Sequence, residues 1–214
     1  MPGVEGPQLV LASRSPRRRE ILGWLGISFD VVEPKVEELT SGHDPEGLVL
    51  ENARLKALAG LEALGDDAGS ERVVLGVDTD VFRDGEMLGQ PADRSDAEAR
   101  LRALSGREHD VLSGVCLLGP RAAGIPGAPP RERSGVARST VRFRDLDEAT
   151  IGLYLDSGEW RGRAGAYAIQ GLGSILVVAV DGDFSNVVGL PIGLLLDLHP
   201  ALSAGIAQNS KAKD

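Results

Sequence analysis

Short apolar runs of strand length alternate along this chain with stretches of helical periodicity, and that order admits few folds. Residues 8–12 (QLVLA) read as a strand, with Ser13 and Arg14 as the turn after it. Ser15 then reads as an N-cap and Pro16 as the first helical residue. Ile21, Leu22 and Leu25 form the apolar stripe, and Gly26 stops the helix. Residues 27–32 return as a strand, Asp44-Pro45 opens a helix to about Leu64, and residues 66–70 form a loop. Residues 73–77 are a β-branched strand ending at Asp78-Thr79, and Asp84-Gly85 marks a hairpin turn. Ser95 and Glu98 have capping-box spacing before a helix carrying Ala97, Leu101 and Leu104. Residues 110–118 and 136–143 are long strands. The Pro- and Gly-rich stretch 119–135 between them reads as a mobile hairpin tip. Asp147 caps a helix that Gly158 closes. Residues 175–180 read as a buried strand, 191–198 as the last helix, and 203–214 as a frayed tail. With at least two hairpins, this pattern predicts an α/β fold: a mixed, twisted β-sheet with flanking helices, as a single domain over 1–214 with its core at about 8–200.

Charge narrows the function. The chain has 32 acidic and 23 basic residues, for a formal charge of −9. So acidic a protein is a poor general binder of nucleic acid or anionic membranes, so neither is expected as a partner. Only four of the basic residues are lysines: Lys35, Lys56, Lys211 and Lys213. The single cysteine, Cys116, lies in the apolar run Val115-Cys116-Leu117-Leu118 and reads as a core residue. One thiol, no membrane-length apolar run and no leader-like N-terminus give a cytoplasmic expectation.

Five stretches carry chemistry-bearing residues, and each has a plain structural alternative. Ser13, Ser15 and Arg17, Arg18 and Arg19 join a strand end to a helix N-terminus, where free N–H groups attract anions. Three cations there point to a bound phosphate; the alternative is a capped helix with a solvated basic turn. Asp78, Thr79 and Asp80 follow a buried strand, where an Asp serves as metal ligand or general base, or closes an Asx turn. Glu37 and Glu38 are a solvated pair unless Glu38 meets Asp78 on one metal. Asn52, Ala53, Lys56 and Gly60 share a helix face, leaving Lys56 as a ligand group or a snorkelling surface lysine. The small-residue stretch 164–173 allows close backbone approach, with Gln170 offering an amide to a base edge, or is simply packed on a sheet. His43, His109 and His199 are scattered without ligand spacing.

In order and spacing, LASRSPRRREIL, ENARLKALAG, VLGVDTD, the LGQPADRSDAEARLRALSGREHDVLSGV block and RAGAYAIQGLGS with GDFSNVVGLP resemble the Maf family of nucleoside triphosphate pyrophosphatases. These stretches span about Leu9 to Leu196. The resemblance implies two lobes around a central cleft, commonly in a homodimer, and hydrolysis between the α- and β-phosphates with a divalent cation (Mg²⁺ or Mn²⁺, or Co²⁺). It implies Asp78 as the acidic catalytic residue, as base for the water or as metal ligand, with Glu38 helping to hold the metal. Ser13, Arg17, Arg18 and Lys56 would bind the triphosphate. Thr79 and Gln170 match the subgroup that prefers dTTP and UTP. Gln90, also placed at the phosphates, stands where the family pattern has a lysine. Asp80 replaces an apolar residue and Arg163 a lysine. The alternative that Gln90 favours is a nucleotide-binding regulator of septum formation with little hydrolysis. An inosine-triphosphatase-like activity on purines is a second.

Overall fold

The computed structural model describes residues 8–41, 44–65, 72–121, 130–203 and 206. β1 (Leu9–Ala12) leads through α1 (Pro16–Trp24) to β2 (Phe29–Val32), and α2 (Pro45–Leu64) leads on to β3 (Val73–Arg83). β1 lies between β2 and β3 and is parallel to both, so each helix is the crossover that parallel strands require. β3 turns at Asp84-Gly85 into the short β4 (Glu86–Met87). After α3 (Arg94–Leu104), β5 (Glu108–Arg121) pairs antiparallel along the other edge of β3. β6 (Pro130–Phe143) and β7 (Val177–Asp181) continue that side antiparallel, with α4 (Glu148–Ser157) between them. α5 (Phe184–Val188) and α6 (Ile192–Leu198) follow. The sheet is thus mixed and flanked by helices, as the alternating pattern predicts.

Side chains alternate across the sheet and divide the core. Leu9, Leu11, Leu75 and Val77 join Ile21 and Leu22 of α1 and Leu101 of α3 in the larger cluster. Val10, Ala12, Val74 and Cys116 meet Ala53, Ala57 and Leu61 of α2 in the smaller one. Burial pushes the Cys116 thiol up to about 12, which fits an inert core residue. No helix among the described residues is long and apolar enough to cross a membrane.

α2 sits unusually close to the sheet, for a reason written in small residues. A Cβ on Gly76 would collide with the Ala53 carbonyl oxygen and lie 2.6 Å from the Ala57 nitrogen. A Cβ on Gly114, which pairs with Asp78, would lie 2.5 Å from the Val49 carbonyl carbon. Only glycine at these two sheet positions lets the helix backbone rest on the strands.

The sheet also contains a gap. β1 pairs with β3 only as far as Gly76, and β4 resumes on the same edge at Phe82. Residues 77–81 of β3 therefore have a strand neighbour on the β5 side but, among the described residues, none on the other.

Several expected local features differ. β3 does not end at Asp78-Thr79 but runs through both, because β5 pairs with it as far as Phe82. Ser15 makes no side-chain cap bond. The α3 cap is Asp93, which accepts from the Asp96 N–H, while the Asp96 carboxylate accepts from Ala92 N–H; Ser95 and Glu98 are not the box. Much of 119–135 is strand, since residues 132–135 pair with 115–118; its tip, 122–129, and the loop 66–70 lie outside the described residues. β7 is a sheet edge with Val178 exposed rather than a buried strand. α5 was not legible as a helix because five residues show no period.

His109 of β5 is buried. Its Nε2 shares a hydrogen bond of 2.8 Å with the Tyr167 hydroxyl, and its ring packs edge-on against Phe143 and Tyr167. Burial pushes its pKa down to about 4. The unfolded value is about 6.5, so between the two the unfolded chain takes up a proton that the fold refuses. Stability contributed by the neutral ring is therefore full above the unfolded value and is lost as pH falls toward the folded one. On going from about pH 7.5 to about pH 5, wild type should lose about 2 kcal/mol more than His109→Gln in urea unfolding; equal losses would contradict this. Gly76→Ala should destabilise by about 1–3 kcal/mol or more, and a wild-type unfolding midpoint would contradict the close seat of α2.

Candidate active site

The gap beside β3 opens into a cleft of about 690 Å³. Residues from both faces of the strand border it, because the strand that would separate them is missing there. At one end β1 delivers the chain to Ser13. The Ser13 hydroxyl oxygen accepts from the Ser15 N–H and from Arg18 Nη1, both at 3.1 Å. The hydroxyl proton remains available to a ligand.

The three arginines of α1 separate into different tasks. Arg18 is buried, and donates from Nε to the Gly189 carbonyl at 2.8 Å and from Nη2 to Thr79 Oγ1 at 3.1 Å. Burial lowers its pKa, offset by the charges of Asp78 and Glu38. Although it lines the cleft, it spends three N–H groups riveting α1, β3 and the turn after α5 together. Arg19 reaches the Ser13 carbonyl and Glu33. Arg19 Nε and Arg17 Nη1 are both buried without a partner among the described residues, but Arg17 differs in making no side-chain hydrogen bond or ion pair there at all. The expected cluster of three anion-seeking cations reduces to Arg17 at the ligand and Arg18 behind it.

Lys56 of α2 and Asp78 of β3 meet at the floor of the cleft. Lys56 Nζ donates to Asp78 Oδ1 at 2.6 Å and to Glu38 Oε1 at 2.9 Å. The Lys56 and Asp78 side chains are 10% and 9% exposed against 43% for Glu38, so the pair is internal and Glu38 covers it from the solvent side. Lys56 is therefore not a snorkelling surface lysine, and Glu38 is not a member of a free acidic pair. Asn52, one turn before Lys56, completes the arrangement. Its amide donates to Asp78 Oδ2 at 3.2 Å and exchanges bonds with the backbone of Leu39. Asn52 fixes the orientation of Asp78 and the segment bearing Glu38 together. Its shared helix face with Lys56 was the only signal in the sequence.

The other end of the gap is held by Asp80. Its Oδ1 accepts from Val81 N–H at 2.7 Å and from Gly89 N–H at 3.1 Å. Burial lifts this carboxyl to about 6; the backbone bonds oppose the rise, and the charges of Asp78 and Glu38 add to it. Gln90 follows Gly89 and lines the cleft, exposed. Thr79 points to the opposite face from Asp78, where Oγ1 lies 2.7 Å from Ser113 Oγ and 3.3 Å from the Gly189 carbonyl. Gln170 lines the cleft beside Tyr167 and Ile169, and its amide has no partner among the described residues. Glu159 shapes that wall by accepting from the Leu172 and Gly173 N–H groups, both at 3.1 Å.

All of the residues singled out in the sequence for substrate or metal line this one cleft. Reasoning from sequence named Asn52 and Arg163 without giving either a role at the site and passed over Arg161; the two arginines add cations from the turn before Ala164. Six cations, Arg14, Arg17, Arg18, Lys56, Arg161 and Arg163, face Glu38, Asp78 and Asp80, so a chain of charge −9 carries a locally positive cleft. Neither His109 nor His199 lines it, and His43 lies outside the described residues.

Hard carboxylate oxygens converging from Glu38 and Asp78 suit a divalent cation that also takes phosphate oxygens. Among the described residues no three His, Cys, Asp or Glu side chains form a closed cage, so any such ion would draw its remaining ligands from substrate and water.

Comparison with known proteins agrees over nearly the whole chain. A family described as Maf-like protein matches residues 8–201. The dTTP/UTP pyrophosphatase of Deinococcus radiodurans is 44% identical over 198 residues, covering 92% of this chain and 94% of that protein. The dTTP/UTP pyrophosphatase of Anaeromyxobacter dehalogenans is 46% identical over 187 residues, covering 87% and 89%. That of Caldanaerobacter subterraneus subsp. tengcongensis is 41% identical, covering 89% and 87%.

Removing the ammonium strands two carboxylates, one of them buried. Lys56→Met should therefore cost about 3–5 kcal/mol in chemical denaturation. A cost below about 1 kcal/mol would mean the ion pair is solvated like a surface bridge.

Proposed function

The chain belongs to the Maf family, and from that premise we propose that it is a pyrophosphatase of dTTP, UTP or similar modified nucleotides, releasing the nucleoside monophosphate and pyrophosphate. The observation that carries this reading is the convergence of Glu38, Lys56 and Asp78 in the strand gap, with Ser13 and Arg17, whose Nη1 is unpartnered among the described residues, at its β1 end. A triphosphate has about four negative charges, and attack by water requires them to be neutralised in place. Ser13 donates its free hydroxyl proton to a phosphate oxygen, and Arg17 supplies an Nη1 that has no partner among the described residues. Lys56, with two N–H groups on Asp78 and Glu38, offers its third to the phosphate chain.

Asp78 is the base in this reading. Each carboxylate oxygen holds one protein donor, Lys56 on one and Asn52 on the other, which fixes the group and leaves lone pairs for a water. The water oxygen bonds to the α-phosphorus as the bond to the α–β bridging oxygen breaks. The water's proton passes to Asp78, and the bridging oxygen leaves with the pyrophosphate. Glu38 and Asp78 would hold a divalent cation, which supplies charge neutralisation at the phosphates and a more acidic water when bound. Val111, Tyr167, Ile169 and Val188 form an apolar wall for the base, and the free Gln170 amide offers a donor and an acceptor to a pyrimidine edge. The reading places the protein in the cytoplasm, as the homodimer that the family resemblance implies.

Asp78→Asn keeps the side-chain volume, and Lys56 retains Glu38 as a partner. Its unfolding midpoint should stay near wild type while dTTP turnover falls by about 10²–10⁴-fold. Near-normal turnover would remove Asp78 from the chemistry. The same assay, run with dTTP, UTP, ITP and XTP in Mg²⁺ or Mn²⁺, should yield pyrophosphate from the first two, and none after chelation. Tight nucleotide binding without pyrophosphate would instead favour the regulator reading that Gln90 raises, and preference for ITP or XTP a purine enzyme.

A further inference from the structure

Arg163 is an arginine without a counter-ion. The other arginines with no carboxylate within 4.0 Å among the described residues are either exposed to water, as Arg14, Arg107, Arg142 and Arg161 are, or belong to the β1 end of the cleft, as Arg17 and Arg18 do. Arg163 has none among the described residues; its Nε donates to the Glu159 carbonyl at 3.3 Å, and neither Nη has a partner among those residues. The side chain is half-buried against the cleft, and burial lowers its pKa with no acidic neighbour to offset the effect. A cation held in this way, in a chain of net charge −9, is costly unless an anion visits it.

The turn that carries it is held in place. The Gly165 N–H donates to the Gly89 carbonyl at 2.9 Å, and Arg100 Nη1 donates to the same oxygen at 2.6 Å. Gly165 has φ +64, and a Cβ there would lie 3.0 Å from the Val81 side chain, so the turn is seated directly on β3. Asp80 ties Gly89 to that strand. Arg163 therefore stands at the β4 end of the gap beside the uncharged Gln90, whereas Ser13 and Arg17 stand at the β1 end. Asp78 and Lys56 lie between the two. Arg161, its neighbour, lies over the Trp160 ring at 4.9 Å.

We propose that Arg163 is a substrate-binding residue whose two free Nη groups take a phosphate of the nucleotide at the end of the cleft away from Arg17. This rests on the pyrophosphatase reading for the identity of the ligand, and it gives the triphosphate a cationic contact on each side of the reacting centre. Guanidinium is suited to the task because its fork matches two phosphate oxygens at once.

The test compares wild type, Arg163→Gln and Arg163→Lys. Inorganic tripolyphosphate binding is read by calorimetry, KM and kcat with dTTP, and inhibition by thymidine, which has no phosphate. Arg163→Gln should weaken tripolyphosphate binding and raise KM by roughly 10- to 100-fold, with thymidine inhibition and the melting temperature unchanged. Arg163→Lys should recover part of the loss. Unchanged tripolyphosphate affinity and KM in Arg163→Gln would overturn the proposal, as would an equal loss of thymidine binding, which would make Arg163 a support of the loop. If wild type hydrolyses no nucleotide, the pyrophosphatase reading fails, yet the tripolyphosphate titration still decides for or against Arg163.

Discussion

A single ammonium group, that of Lys56, sets the terms for the rest of the structure. It lies between Asp78 and Glu38 at hydrogen-bond distance, almost out of water. A charge so placed is tolerated only with close partners, which requires α2 to lie nearly in contact with β3. That approach is possible because Gly76 and Gly114 have no Cβ, and because Ala53 and Ala57 present small surfaces to the strands. The stripe of small residues on α2 and the glycines of the sheet are thus one feature with the ion pair. Asn52 extends it, since the amide that steadies Asp78 also anchors the segment bearing Glu38.

The second constraint is topological. β1 is four residues long and β3 eleven, so the short strand cannot cover the long one. The uncovered stretch holds Asp78, Thr79 and Asp80, and the chain segments at its two ends bring Ser13 and Gln90 to the same opening. Interrupted pairing of this kind lets an α/β sheet expose side chains of both faces to one ligand. It explains how Asp78 reaches Lys56 on one side while Thr79 engages Arg18 and Ser113 on the other.

Much of this was legible in the sequence because local signals are strong where they occur. Asp44-Pro45 starts α2 and Asp147 caps α4 as the residues suggest, each with the expected bond to the N–H three positions on. The small face of α2 around Lys56 also reads correctly, since helical spacing fixes which residues share a side. What was not legible depends on distant partners. The continuation of β3 through Asp78 is imposed by β5, and no local residue announces it. The true cap of α3 is Asp93, a carboxylate two positions before the Ser95 that imitates one. The division of labour among Arg17, Arg18 and Arg19 follows from the Gly189 carbonyl and Thr79, which are far along the chain. Arg163 drew notice only as a substituted lysine, because the absence of a counter-ion is a property of the fold.

The most direct test of the account is a crystal structure of Asp78→Asn with dTTP and Mg²⁺. The account expects the triphosphate to lie along the uncovered stretch of β3, with Lys56 on a phosphate oxygen and the α-phosphate facing residue 78. A triphosphate bound outside the gap, or one that Lys56 does not touch, would contradict it.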